Sequence, residues 1–387
     1  MNKSLKIAIY AICKDEKQFL NNWITSVLEA DYVCVLDTGS TDGTYELLLE
    51  WQKMFPNKII INQKTYKQWR FDVARNDSMS FVPQDADVLW SIDLDELPVK
   101  GWNDCIRKTW KSNTDRGIYL YAWGHDERGE PTYTFWYDKM HRRQDFKWSF
   151  PVHESVLCTN KKRENMATIS PNTLLHHWPD HSKSRNGYLD LIRLRVSEDE
   201  YDLYGKIYLM RELSSRGLNE ECVDLILHKI IPYVTGSNTD HPLDLMFMPS
   251  AYCCLGDAFM NMGDLGRAYT YYNIGIASFP THRDCYIGLA LLTLEHNPEE
   301  CKKTLLDMFE KTIRYYSWLE RDSSWSAIPY DLLSRAYAKL GKIQLATDYA
   351  LLASTLNNNN FFRENYLSLL KQRENVTLVL GDTNEKA

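Results

Sequence analysis

The chain has 387 residues, 44% of them hydrophobic and 25% charged, which fits an ordinary globular protein with ample core and room for two domains. Its net charge of −7 argues against a general nucleic-acid binder, and no apolar stretch reaches the ~18 residues that a membrane-spanning helix needs. The nine cysteines include no CxxC pair, which suits free, mostly buried thiols in a reducing cytosol and opposes a structural zinc site.

The opening MNKSLKIAIYAICKDE lacks the apolar length and cleavage site of a secretory signal, and KIAIYAIC reads as a first strand. EKQFLNNWITSVLE then places Phe19, Leu20, Trp23, Ile24, Val27 and Leu28 at helical spacing. YVCVLD is a second buried strand, DTGSTDGT a turn, and TYELLLEWQKMF a helix. KIIINQ and VLWSIDLD are a third and a fourth strand. Strands separated by helices imply parallel pairing in an α/β sheet covered on both faces, with ligands beyond the carboxyl ends of the strands. Asp37 and Asp93 stand at two such ends. After about residue 190 helices take over, which sets the expected domains at 1–190 and 191–387.

The second half carries a helical repeat. With Pro249 as position 1 of a 34-residue helix–turn–helix unit, Leu255, Gly256, Phe259, Ala268, Tyr272, Gly275 and Pro280 fall at the packing positions of a tetratricopeptide repeat. A second unit fits around Leu333, Tyr337, Ala346, Ala350 and Ala353, and YLMRELSSRGLNEECVDLILHKII reads as a degenerate third. Generic helical hairpins are the simpler alternative, and both readings give an all-α solenoid.

Five motifs of the first half bear on chemistry. DTGSTDGT links a strand end to a helix start, where Gly39 and Gly43 permit tight backbone and Ser40, Thr41 or Asp42 can cap the helix. It lacks GxxxxGK, so it is no P-loop, and any bound phosphate needs another counter-charge. IDLDE sets Asp93, Asp95 and Glu96 just past a strand, an arrangement able to hold Mg²⁺ or Mn²⁺ while phosphate oxygens fill the other positions. An acidic helix start is the alternative there. WRFDVARND puts Asp72, Arg75 and Asn76 one turn apart, so Arg75 either clamps a diphosphate or fixes Asp72 by a bidentate pair. KMHRRQDFKWSFPVHES places Glu154 after a histidine on a strand-like segment, where a carboxylate can act as general base. LLHHWPDHS offers His176 or His177 as a neutral imidazole ligand.

Taken in order, these segments resemble an inverting family 2 glycosyltransferase of the GT-A fold. The branch they resemble includes lipooligosaccharide-core β-glucosyltransferases and the bacteriocin S-glycosyltransferases of sublancin type. The family's Asn-Glu-Glu reads here as CKDE, with Lys14 and Asp15 as departures. Its Asp-Ser-Gly-Ser-Thr-Asp turn reads as DTGSTDGT, its Asp-Phe-x-x-x-Arg-Asn as RFDVARN, and its Asp-Ala-Asp-Glu as DLDE. Its Arg-Leu-Phe-Arg and Val-His-Glu segments read as KMHRRQDFKWSFPVHE. There Lys139 replaces an arginine and Phe150 a customary glycine, both departures near the acceptor side. The resemblance covers roughly residues 5 to 180. It implies a GT-A (Rossmann-like, mostly parallel) domain followed by the tetratricopeptide-like solenoid, a pairing that also occurs in this branch.

The resemblance further implies a role for each matching residue. Asp37 would read the base of a nucleotide-sugar, expected to be UDP-linked, and Asp93 would meet the ribose and the metal shell. Asp15, Asp72 and Arg75 belong to the donor side, with Arg75 near the diphosphate. Asp95 would bind Mn²⁺ or Mg²⁺ directly, with His176 or His177 closing its coordination. Glu154, or second to it His153, would take the acceptor's proton. A helical-repeat surface suits an extended peptide, so a peptide or protein side chain is the expected acceptor, with a lipid-linked or surface glycan close behind. A cytoplasmic enzyme, with a homodimer built through the repeats, completes the expectation. Two other classes stay open: a non-catalytic scaffold using its repeats, and a nucleotidyltransferase, which also uses paired aspartates and a cation but releases pyrophosphate.

Overall fold

The computed structural model describes residues 5–160, 163–171, 173–180, 187–236, 242–315 and 319–384. The chain divides into two compact units, residues 1–195 and 196–387.

The first unit begins with β1 (Ile7–Cys13), α1 (Lys17–Val27), β2 (Tyr32–Asp37), α2 (Thr44–Met54), β3 (Ile59–Gln63), α3 (Phe71–Ser80) and β4 (Val88–Ser91). It continues through β5 (Glu96–Pro98), α4 (Trp102–Thr109), β6 (Arg116–His125), β7 (Pro131–Arg142), β8 (Phe146–Ser149) and β9 (Ser155–Cys158). It closes with β10 (Met166–Thr168), β11 (Leu174–His177) and α5 (Tyr188–Glu198). Among the described residues the large sheet runs β3-β2-β1-β4-β7-β6-β11-β5, with β10 beside β6. The β3-β2-β1-β4 half is parallel, as strands joined by helices must be. Beyond it the direction mixes: β7 runs antiparallel to both β4 and β6, and β5 antiparallel to β11.

Both faces of the sheet are buried, which is why its strands read as continuous apolar runs. Ile7 and Ile9 of β1 face a core filled by Leu20, Trp23, Ile24, Trp90, Trp102 and Ile106. Ala8 and Tyr10 face the other, with Leu89, Phe146 and Trp148. After α4 the strand–helix alternation gives way to the long β6–β7 ribbon, whose alternating exposure fits a sheet extension rather than a crossover.

The second unit is all-α: α6 (Leu203–Ser215), α7 (Asn219–Leu225), a π-helical turn (Ile226–Ile230), α8 (Ile231–Thr235), α9 (Met248–Asn261), α10 (Leu265–Ser278), α11 (Asp284–Thr293), α12 (Pro298–Lys311), α13 (Ile328–Lys339), α14 (Ile343–Leu356) and α15 (Asn360–Asn384). The repeat positions of α9 and α10 pack as expected, with Leu255, Phe259, Ala268 and Tyr272 all buried. A Cβ on Gly256 would sit 2.3 Å from the Tyr272 ring, and one on Gly288 of α11 2.2 Å from it, so only glycine lets the ring wedge between those helices. Pro280 differs in being exposed. The α11–α12 hairpin is absent from the repeats expected above, although its start is plainly written. Asn297 accepts from Glu300 N and Pro298 opens the helix, the residues that initiate helices best.

Candidate functional site

The acidic turn after β4 disposes its three carboxylates in three directions. Glu96, at the start of β5, points inward and is buried: its Oε2 accepts from the backbone N of Asp93 at 2.8 Å, and its Oε1 from the Tyr121 hydroxyl at 2.9 Å. Burial pushes its carboxyl up, and the negative Asp93 and Asp95 add to that against the pull of Lys139. Asp93 faces two cations. Arg75 on α3 meets it with two parallel N–H···O bonds, 2.7 and 3.0 Å, and Lys139 Nζ on β7 lies 3.1 Å from its Oδ2. Burial acts to raise the Asp93 carboxyl, but Arg75 and Lys139 together outweigh it and hold the group far below the usual carboxylate range. Asp95 points to His177, with Oδ2 and Nε2 3.4 Å apart.

Arg75 is the centre of this arrangement. Its side chain is 6% exposed, and it reaches Glu154 through Nε at 2.5 Å and the Ser91 hydroxyl at 3.1 Å as well as Asp93. Its guanidinium also lies 4.9 Å from the Trp148 ring. Burial opposes its charge, yet Asp93 and Glu154 raise its proton affinity well above the ordinary arginine value. The pair expected between Arg75 and Asp72 does not form: Asp72 takes its two-point partner from Arg70, at 3.0 and 2.9 Å, at the first turn of α3. Asn76 instead pins β8, donating to Trp148 O at 2.8 Å and accepting from Trp148 N at 3.0 Å.

Glu154 lies immediately before β9, in a strained loop rather than on a strand. Phe150 has φ of 79° and His153 of 50°, both in the left-handed region, which costs side chains of this kind on the order of 1–3 kcal/mol each. A cleft of about 790 Å³ opens beside Glu154, walled by Tyr137, Lys139, Trp148, Arg116 and Glu164. His153 is exposed, with its ring edge-on to Tyr188 at 6.0 Å.

The other residues expected on the donor side shape the loops. Asp37 is fully buried; its Oδ1 accepts from Gly39 N, Ser40 N and Gln63 Nε2 at 3.0, 3.1 and 3.0 Å. Asp15, at φ of 54°, ties the end of β1 to the same turn by accepting from Thr41 N at 2.7 Å. Asp42 completes the helix start by accepting from Thr44 N at 2.9 Å. Asp37 and Asp15 thus stand together at one loop, while Asp93, Arg75 and Glu154 meet from the turn after β4, from α3 and from the loop before β9.

Alternation along β11 separates the two candidate histidines. His177 pairs in register with Glu96 and faces Asp95, whereas His176 Nδ1 lies 2.8 Å from His125 Nε2. Asp95 raises the His177 imidazole against burial; burial and His125 lower His176. Among the described residues no three carboxylate, imidazole or thiolate groups converge as a ready-made metal cage. The Asp95 oxygen and His177 nitrogen, 3.4 Å apart, would nevertheless fit adjacent positions on one divalent cation. The residues present therefore fit such an ion.

Lys139 is the residue whose placement sequence reading missed, since the resemblance assigns it only to the acceptor side. It sits between Asp93 and Glu96, at 3.1 and 3.5 Å, and also walls the cleft. A lysine in step with Phe135 and Tyr137 on β7 was the available signal. A second omission is a buried chain: Trp148 Nε1 donates to the Tyr10 hydroxyl at 2.8 Å, which donates to His141 Nε2 at 2.9 Å, while His141 Nδ1 donates to Arg142 O at 2.7 Å. Full burial lowers the His141 imidazole to about 3, so it is neutral in the folded chain.

The chain is similar over about half its length to solved structures of low identity. They include the thermophilic TPR protein TTC0263 of Thermus thermophilus (16% identity, covering 48% of this chain and 90% of that one, TM-score 0.35). Another is the MamA protein of Desulfovibrio magneticus (16% identity, 46% and 96% coverage, TM-score 0.30). A search of curated proteins gave no match. Residues 9–155 match the family model described as Glycosyl transferase family 2. That stretch holds Asp15, Asp37, Arg75, Asp93, Asp95 and Glu154 together, and the match supports a family 2 glycosyltransferase domain in the first unit.

Proposed function

We propose that the protein is a metal-dependent, inverting glycosyltransferase that moves a sugar from a nucleoside-diphosphate donor, UDP-linked, to a peptide or protein side chain. The observation that carries this reading is Arg75, whose guanidinium joins Asp93 on the donor side to Glu154 beside the cleft. Asp95 and His177 would hold a divalent cation, which when bound offsets the charge developing on the leaving diphosphate. Glu154 takes the proton of the acceptor's nucleophile as that atom attacks the anomeric carbon from the face opposite the nucleotide. The new bond forms as the bond to the diphosphate breaks, so configuration inverts and nucleoside diphosphate leaves. Arg75 keeps the Glu154 carboxylate in place during this step. The helical hairpins support a peptide acceptor, since stacked helix pairs offer an extended surface and Leu291, Leu306, Leu351 and Leu352 are exposed on them.

Calorimetric titration with UDP, GDP and dTDP, each with Mn²⁺ and with EDTA, tests the reading. Metal-dependent binding of UDP is expected, and it should vanish in Asp95→Ala. Binding of none of the three would refute it.

A further inference from the structure

We infer that Phe150 and Arg195 form a positioning device for Glu154, an inference that rests on the reading of Glu154 as the base. Four residues, 150–153, lead into Glu154, and two of them, Phe150 and His153, have positive φ. An aromatic side chain gains nothing from that backbone conformation by itself, where glycine would be unstrained. Its ring must therefore hold something that glycine cannot. The Arg195 guanidinium, on a residue 3% exposed, lies 3.7 Å from the centre of the Phe150 ring, a close cation–π contact. The same guanidinium donates through Nη1 to Val152 O at 3.3 Å and His153 O at 2.9 Å, the two carbonyls that precede Glu154. The loop is also tied from α3, where Phe71 N donates to Pro151 O at 3.0 Å, and Phe71 meets Tyr188 edge-on at 5.8 Å.

The ring and the two carbonyls thus fix the guanidinium from different sides, and the guanidinium fixes the backbone that aims Glu154. Arg75 then grips the carboxylate itself at 2.5 Å. Neither Phe150 nor Arg195 belongs to the groups that meet donor or acceptor in the proposed reaction. Their effect is on turnover through Glu154 rather than on donor affinity. Misplacing a reacting group by about 1 Å can cost ~100-fold in rate.

The test uses the full chain with Phe150→Gly, Phe150→Leu, Arg195→Lys and Glu154→Gln. Nucleoside diphosphate release is followed from UDP-glucose, and hydrogen exchange is measured at residues 150–155. Phe150→Gly should bind UDP as the native protein does and keep its donor KM, while kcat falls by ~10-fold and the loop exchanges faster at unchanged Tm. Phe150→Leu should fall likewise, and Arg195→Lys, which keeps the charge, should fall less. Native kcat or native loop exchange in Phe150→Gly, with Glu154→Gln inactive, overturns the positioning role alone. Native turnover in Glu154→Gln overturns the assignment of the base and this inference with it. Should UDP-glucose not turn over, loop exchange decides: protection at 150–155 unchanged in both Phe150 variants overturns the device.

Discussion

Strands β2 and β4 each run an apolar sequence into an aspartate at the carboxyl end, and the fold offsets the two charges by different means. Asp37 is answered by neutral donors, the amides of Gly39 and Ser40 and the side chain of Gln63 on the next strand. Asp93 is answered by Arg75 and Lys139, 18 and 46 residues away in sequence. The first solution is a rigid turn in which the carboxylate shapes backbone. The second is a charge cluster that ties three elements and leaves Asp95 and Glu154 at its margin. Similar sequence logic therefore sets one aspartate among neutral donors and the other among cations, and the difference is what answers the charge.

The largest break in that comparison should come from Arg75→Ala, which removes a buried guanidinium from between the partly buried Asp93 and Glu154. Stability should fall by about 3–5 kcal/mol in urea unfolding, the usual cost of removing one partner of a buried ion pair. Glu154→Gln should leave UDP binding intact while sugar transfer falls ~100-fold, measured as nucleoside diphosphate release. The buried His141 sharpens the contrast through pH. Its pKa is about 3 when folded against 6.5 ordinarily, so above pH 6.5 the imidazole is neutral in both states and its contribution is complete. As pH falls from 6.5 towards 3, the unfolded chain takes up the proton first, and stability should drop by up to about 1.4 kcal/mol per pH unit. His141→Gln should flatten that part of the slope, read from urea midpoints at about pH 7, 6 and 5. The smallest effect is expected for Asp37→Asn, whose amide oxygen still accepts from Gly39 and Ser40: about 1 kcal/mol, against about 3 kcal/mol for Asp93→Asn, which takes the shared carboxylate from two buried cations and leaves them only Glu154 and Glu96. Equal losses at the two positions would erase the distinction.

Several residues of the candidate site are legible in the sequence. Asp93, Asp95, Arg75 and Glu154 stood out because acids at strand ends and an arginine within a helical turn of an acid have few cheap explanations. The pairing did not follow from spacing. Asp72 and Arg75 are one turn apart, yet Arg70 is nearer to Asp72 in the folded chain, and Arg75 turns to the sheet, where it meets both Asp93 and Glu154 while Arg70 already holds Asp72. The expected cation among the three carboxylates is supplied first by the protein, as Arg75 and Lys139, and Glu96 is withdrawn to anchor its own turn.

The amino-acid sequence by itself determined the layers of the first unit, the helical character of the second and the loops on which chemistry can sit, because periodicity and turn residues act locally. Tertiary structure decided which histidine faces Asp95, since that depends on the register between β11 and β5. It also decided that Lys139 joins Asp93 and that Arg195 reaches under Phe150, because both contacts close over more than 40 residues of intervening chain. Local propensity carries no information about such partners; packing and charge balance in the folded core select them.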